Sequence, residues 1–287
     1  MNRRNTTSIG LVAALIAAGA LCMPAHADIY RVDWQVEEPG NGGPTWDDAF
    51  DNLQDALEVA ENNQGADDIW VAEGTYYPTE RMDPEDPRSV TFHLDDPSPV
   101  KIYGGFPTGG GDNSLDARDI YANPTILSGD IDQDDAYGTF PDDIWDDRDD
   151  NAYHVLLGSR TADAMDGARI DGFTIIGGTA DDTEDDEQQR GGGAARGGDM
   201  FVRCVFCWNR AKEGGGAFFA NDNDVIIYNC RFYNNLTAAG EDTWDAGLGG
   251  AIRMSDIKDE TEPEAIIVNC VFHNNRGRVV AVSTDDS

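Results

Sequence analysis

Large apolar residues recur in a fixed local pattern along the second half of this chain. Ile170, Phe173 and Ile175 match Phe201, Cys204 and Phe206, then Ile227, Cys230 and Phe232, then Ile267, Cys270 and Phe272. Asparagine follows the last three segments at a constant offset, as Asn209, Asn235 and Asn275. Between segments lie Gly192-Gly193-Ala194, Gly215-Gly216-Ala217 and Gly249-Gly250-Ala251. Residues two apart on a strand share a face, so each Cys or Phe points the same way as the Ile or Phe two positions on. A constant strand motif with uneven spacers predicts a solenoid of short strands whose loops leave between the steps. Equivalent residues then stack about 4.8 Å apart, the strand spacing within a sheet. The glycines supply the corners, and a row of asparagines tolerates turn geometry while hydrogen bonding along the stack.

The first half carries other patterns. Residues 29–34 alternate and predict a strand, and a Pro/Gly/Asn turn follows over 39–44. Thr45 is placed to cap a helix over Thr45–Glu61, with Asp48 in the capping-box position. Phe50, Leu53, Ala56, Leu57 and Ala60 fall on one face of that helix, while early acids suit its N-terminus. Strands are predicted over 68–72, 91–94, 100–103, 125–128 and 153–157, most of them stopped by glycine. The clearest repeats run over 170–282. Val279 to Val282 reads as a last strand, and with no capping segment after it the expectation includes a chain that continues past Ser287.

Residues 1–27 read as an export signal: Arg3 and Arg4, an apolar run from Ile9 to Leu21, and Ala25-His26-Ala27 before the cleavage point. Residues 28–287 then form one β domain, expected outside the cytoplasm or at the cell surface, with no membrane insertion of the mature chain. The 287-residue chain has 55 acidic and 20 basic residues, a formal charge of −35. Such a field repels nucleic-acid backbones, so nucleic acid is excluded as a partner. It favours cations and keeps a surface solvated. Nothing in the sequence sets the oligomeric state.

The run from Gly43 through Ala49-Phe50 and Leu53-Gln54-Asp55-Ala56-Leu57, and then Ile69-Trp70-Val71-Ala72-Glu73-Gly74-Thr75-Tyr76, resembles the opening of secreted bacterial right-handed β-helix proteins of the pectin-lyase-like superfamily. Tyr103-Gly104-Gly105-Phe106, residues 124–130 and Asp171-Gly172-Phe173-Thr174-Ile175 extend the likeness over most of the chain after the signal. Gly249-Gly250-Ala251-Ile252 and the Phe-x-x-Asn steps also resemble the repeats of polymorphic outer-membrane adhesins. The resemblance implies an all-β, right-handed parallel β-helix whose N-terminal helix plugs one end. It also implies two activities to weigh, carbohydrate binding at a surface and polysaccharide cleavage.

Few residues carry recognisable chemistry. The arginine setting of pectate lyases and the motif set of polygalacturonases are both absent, although Arg203, Arg231 and Arg253 lie in or near predicted strands. Trp208, Tyr233 and His273 are read as one repeat position, and with Arg231 they form the candidate ligand strip, able to stack on sugar rings if exposed. Asp130, Asp132, Asp134 and Asp135 are the candidate metal ligands, since alternate carboxylates on an extended loop can converge on calcium. Asn221 to Asp224 is a weaker calcium candidate. Cys204, Cys230 and Cys270 are explained by the stack as buried free thiols, not as zinc ligands or disulfides. The reading is a secreted or cell-surface, non-catalytic, adhesin-like protein that binds a polysaccharide or another cell-surface ligand. A calcium-dependent lyase or a glycoside hydrolase is the competing reading.

Overall fold

Short β-branched and aromatic segments bounded by glycine or asparagine give strands of two to six residues that cannot run past each corner. The computed structural model describes residues 28–282 except 38–39, 41–44, 64–66, 95–99, 112–113, 139–147, 159–166, 182–190, 198, 213, 222–223, 238–248, 256–264 and 278–279. Residues 1–27, read from the sequence as an export signal, and the central residues of the second calcium candidate, 222–223, lie outside the described residues. The described chain is predominantly β, with several parallel sheets and one α-helix.

Four sheets take up the strands. The first holds Ile29–Val32, Asp68–Ala72, Lys101–Phe106, Arg169–Asp171, Met200–Val202, Val225–Tyr228 and Ala265–Val268 in that order. From Arg169 the path repeats: Arg169–Asp171, then Phe173–Ile176 in a second sheet, Thr179–Ala180 in a third, Ala195–Arg196 in a fourth, and back to Met200–Val202 in the first. Every pairing among these strands is parallel, and the antiparallel one joins Glu80–Arg81 to Val90–His93.

The register follows the sequence repeat. Ile170 lies opposite Phe201, which lies opposite Ile227 and then Ile267. Ile175, Phe206, Phe232 and Phe272 are likewise in line. Phe206 and Phe232 stack with ring centroids 4.6 Å apart, and Phe232 and Phe272 follow at 5.0 Å. These distances match the strand spacing, so ring stacking and backbone pairing reinforce each other. Cys204 and Cys230 are buried, Cys270 is partly so, and all three are free thiols. One apolar core holds these residues together with Ile69, Phe92, Leu156, Phe218 and Ile252.

Two left-handed corners recur at each step. Gly172, Arg203, Asn229 and Asn269 take φ between 52° and 87°, and so do Gly177, Trp208, Asn234 and Asn274. Glycine and asparagine adopt this region at least cost, which explains six of the eight residues. Just beyond the second corner the predicted asparagine ladder is present. Asn209 donates its Nδ2 to Asn235 Oδ1 at 3.1 Å, and Asn235 donates to Asn275 Oδ1 at 2.9 Å. Asn209 and Asn235 are fully buried, and each also bonds a backbone carbonyl, so their burial is compensated. At Gly193, Gly216 and Gly250 a side chain would lie within 2.5 Å of a neighbouring carbonyl oxygen, so only glycine fits these close approaches.

The predicted helix is shorter than Thr45–Glu61. Trp46–Asp48 forms one 3-10 turn, and Thr45 makes no side-chain cap. Ala49 is extended, and Phe50 bridges in parallel to Val32 rather than lying on a helix face. The α-helix spans Leu53–Asn62 and is capped by Asn52, whose side chain accepts from the Gln54 amide at 2.9 Å. Asn52 is as good a cap as Thr45, and the β-bridge at Phe50 is gained by starting the helix later. Leu53, Ala56, Leu57 and Ala60 are buried in the main core as the spacing predicts. No helix among the described residues is long and apolar enough to cross a membrane.

Candidate functional site

The segment 114–123 folds back over the first sheet, and two glycines make its seat. A Cβ on Gly105 would lie 2.7 Å from the Ile120 side chain, and one on Gly172 would lie 2.6 Å from it. The Asp119 amide donates to Gly105 O at 2.8 Å, and Arg118 Nε donates to Gly104 O at 2.7 Å. The Asp119 carboxylate caps the turn, accepting from the amides of Tyr121 and Ala122 at 3.0 Å each. This leaves a cleft of about 620 Å³ between the segment and the sheet, lined by Tyr103, Leu115, Tyr121, Arg169 and Arg203 among others.

Asp171 is the floor of this cleft. Its side chain has no exposed surface, yet three guanidinium groups converge on it. Arg118 Nη2 reaches Oδ1 at 3.0 Å, Arg203 Nη2 reaches Oδ1 at 2.7 Å, and Arg169 Nη2 reaches Oδ2 at 2.7 Å. Burial alone would raise the Asp171 pKa. The bonds and charges of Arg169, Arg118 and Arg203 outweigh it and hold the carboxyl below its ordinary value. Arg118 is itself mostly buried, and desolvation lowers its pKa against the pull of Asp171.

Tyr121 stands at the cleft with 77 % of its surface exposed. Arg231, from the second sheet, places its guanidinium 5.9 Å from the Tyr121 ring centre. Arg118 lies 5.1 Å from the Tyr103 ring centre deeper in the cleft. The lining holds three arginines and three aspartates, Asp116, Asp119 and Asp171. It is therefore balanced in charge, on a chain whose net charge is −35.

The predicted ligand strip does not form as one row. The register places Cys207, not Trp208, opposite Tyr233, and Tyr233 opposite His273. Trp208 instead takes the left-handed corner equivalent to Asn234 and Asn274, and is only 7 % exposed. It packs edge-on to Tyr137 and beneath Arg148, so it offers no open sugar platform. Tyr233 is half-buried beside Cys207, and His273 is exposed on the last strand of the second sheet. Of the four residues, only Arg231 reaches the cleft mouth.

The metal candidates are brought together in part. Ligand atoms of Asp130, Asp134 and Asp135 lie within 4.8 Å of one another, while Asp132 is exposed and outside this group. The expectation that alternate carboxylates converge is thus corrected at Asp132. The chain turns there through a left-handed Gln133, φ 60°, which brings Asp134 and Asp135 back onto Asp130. Asp130 Oδ1 accepts from the Asp134 amide at 3.1 Å, and its Oδ2 accepts from the Asp135 amide at 3.3 Å. Asp135 accepts from Tyr137 and from Asn151 Nδ2 through Oδ2, and its Oδ1 faces Arg148 Nε at 3.4 Å.

Arg118, Tyr121, Arg169 and Asp171 carry no motif and were not candidates from sequence. The available signal is Asp171 itself: a charged residue at a stacked strand position, followed by a corner glycine, requires a cationic partner if it is buried. Comparison with known proteins finds no matching family, no matching curated protein and no matching solved structure.

Proposed function

We propose that this is an exported right-handed parallel β-helix of the pectin-lyase-like type that binds carbohydrate, without cleaving it, in the cleft beside Tyr121. The repeated passage through the same four sheets, in constant register, supports the architecture. The signal-like residues 1–27 support export. The observation that carries the functional reading is Tyr121, a large exposed ring beside Arg231 and above a network of arginine donors. An aromatic face beside fixed hydrogen-bonding groups suits a sugar ring and its hydroxyls. The balanced lining and the strongly negative surroundings favour a neutral polymer over a polyanion, which long-range repulsion would hold off.

Enzymatic cleavage is the second reading, because convergence of arginines on a carboxylate is a feature expected of a polysaccharide-active site. The binding reading is preferred because Asp171 has no exposed surface and is already bound by three guanidiniums. Its carboxylate is engaged by the arginines rather than free to exchange a proton with a substrate.

The test is a screen of the chain from Asp28 onward against neutral and acidic polysaccharides, with and without calcium, scoring binding, unsaturated products and reducing ends separately. Retention on a neutral polymer with no products is the expected result. Calcium-dependent cleavage, or binding to none of the polymers, would overturn the reading.

A further inference from the structure

A second cluster lies away from the cleft, around the loop that begins at Asp130. Ligand oxygens of Asp130, Asp134 and Asp135 lie within 4.8 Å of one another. That is about twice a calcium–oxygen distance of ~2.4 Å, so the three oxygens fit around one ion. An acidic cluster alone proves nothing, but here a second feature lies against it. Asn151 has no exposed surface, and its Oδ1 has no hydrogen-bond partner. The same amide is fixed through Nδ2 to Asp135 Oδ2 at 2.9 Å and to Gly177 O at 2.6 Å. Its unbonded oxygen therefore sits within one amide width of the nitrogen that touches the carboxylate cluster. A buried acceptor without a donor is costly, and a cation would satisfy it.

Arg148 is the counter-ion in contact, and it lies on Asp135 at 3.4 Å.

We propose that Asp130, Asp134, Asp135 and the Asn151 side-chain carbonyl form a calcium site that ties the Asp130 loop to Asn151. Oxygen-only donors on an irregular loop suit calcium, whereas magnesium demands near-octahedral geometry and retains its waters. Arg148 keeps its place on the far oxygen of Asp135 and donates Nη1 to Trp208 O at 2.8 Å. The bound ion would therefore clamp the loop against the second left-handed corner.

The test is calcium chloride titration of the chain from Asp28 onward by calorimetry and thermal melting, with magnesium chloride at equal ionic strength as control. Terbium is a second probe, because Tyr137 bonds Asp135 and lies 5.9 Å from Trp208, close enough to sensitise its emission. The variant is Asp134→Asn, which spares Asp130 and Asp135 and their bonds within the loop; circular dichroism checks that it folds. The expected result is one saturable calcium site that raises the melting temperature through mass action, with affinity reduced about tenfold or more in the variant. Sensitised terbium emission falls with it. Equal calcium affinity in the folded variant, or no difference between calcium and magnesium in the parent, would overturn the proposal.

Discussion

Replacing Phe232 with alanine is expected to destabilise the protein by about 3–5 kcal/mol, the range for truncating a buried phenylalanine. Phe232 is fully buried, and its ring is sandwiched between Phe206 at 4.6 Å and Phe272 at 5.0 Å. Truncation removes two ring contacts and leaves a cavity that the flanking strands are too firmly paired to close. Phe272 has one stacked neighbour and is half-exposed, so Phe272→Ala should cost about half as much by the same reasoning. Urea unfolding followed by circular dichroism measures both. A Phe232→Ala loss no larger than that of Phe272→Ala would mean that the stack does not carry the core.

The second large effect is expected at Asp171. Asp171→Ala leaves three guanidiniums facing one another with no anion between them. Breaking a buried ion pair costs about 3–5 kcal/mol. The side chains of Arg169 and Arg203 are 37 % and 45 % exposed and can turn to water, so the expected loss is near 3 kcal/mol, the lower end of that range. Asp171→Asn keeps the shape and removes the charge, which makes it the variant for pH dependence. The folded-state pKa of Asp171 is depressed, so its contribution is fully present above the ordinary carboxyl value of about 3.9. It disappears as pH falls through the lower, folded value. The stability gap between parent and Asp171→Asn should therefore be full at neutral pH and close in acid, below that ordinary value. A gap that stays constant down to acid unfolding would show that the charge of Asp171 is not what the arginines hold.

Much of the fold could be read from sequence because stacking imposes the same demand at every step. Ile227, Cys230 and Phe232 must match Phe201, Cys204 and Phe206 in size and direction, since each lies on its equivalent. The asparagine ladder was legible for the same reason. The reading failed by one residue at Trp208. Counting from the cysteine puts Cys207 level with Tyr233, because both stand three positions on, whereas Trp208 stands four positions after Cys204. At a corner, φ decides the equivalence rather than side-chain type, and Trp208 is the residue that takes the left-handed angle. The helix start was misplaced because Thr45 and Asn52 both offer caps, and the choice was made by the long-range bridge from Phe50 to Val32.

The cleft was far less legible. Arg118, Asp171 and Arg203 come from three separate stretches of the chain, and the segment 114–123 has no periodicity to place it. Only the folded register brings these residues together. The acidic loop lies between these extremes. Asp130, Asp134 and Asp135 were visible as a local motif, whereas Asn151 joins them through the tertiary fold.

The carbohydrate-binding account rests most directly on Tyr121. Affinity for a polysaccharide retained by the parent should be measured for Tyr121→Ala beside Trp34→Ala, a control at an exposed aromatic outside the cleft. The predicted result is a loss of about tenfold or more for Tyr121→Ala, worth about 1.4 kcal/mol, with the control unchanged. Undiminished binding by a folded Tyr121→Ala would contradict the account.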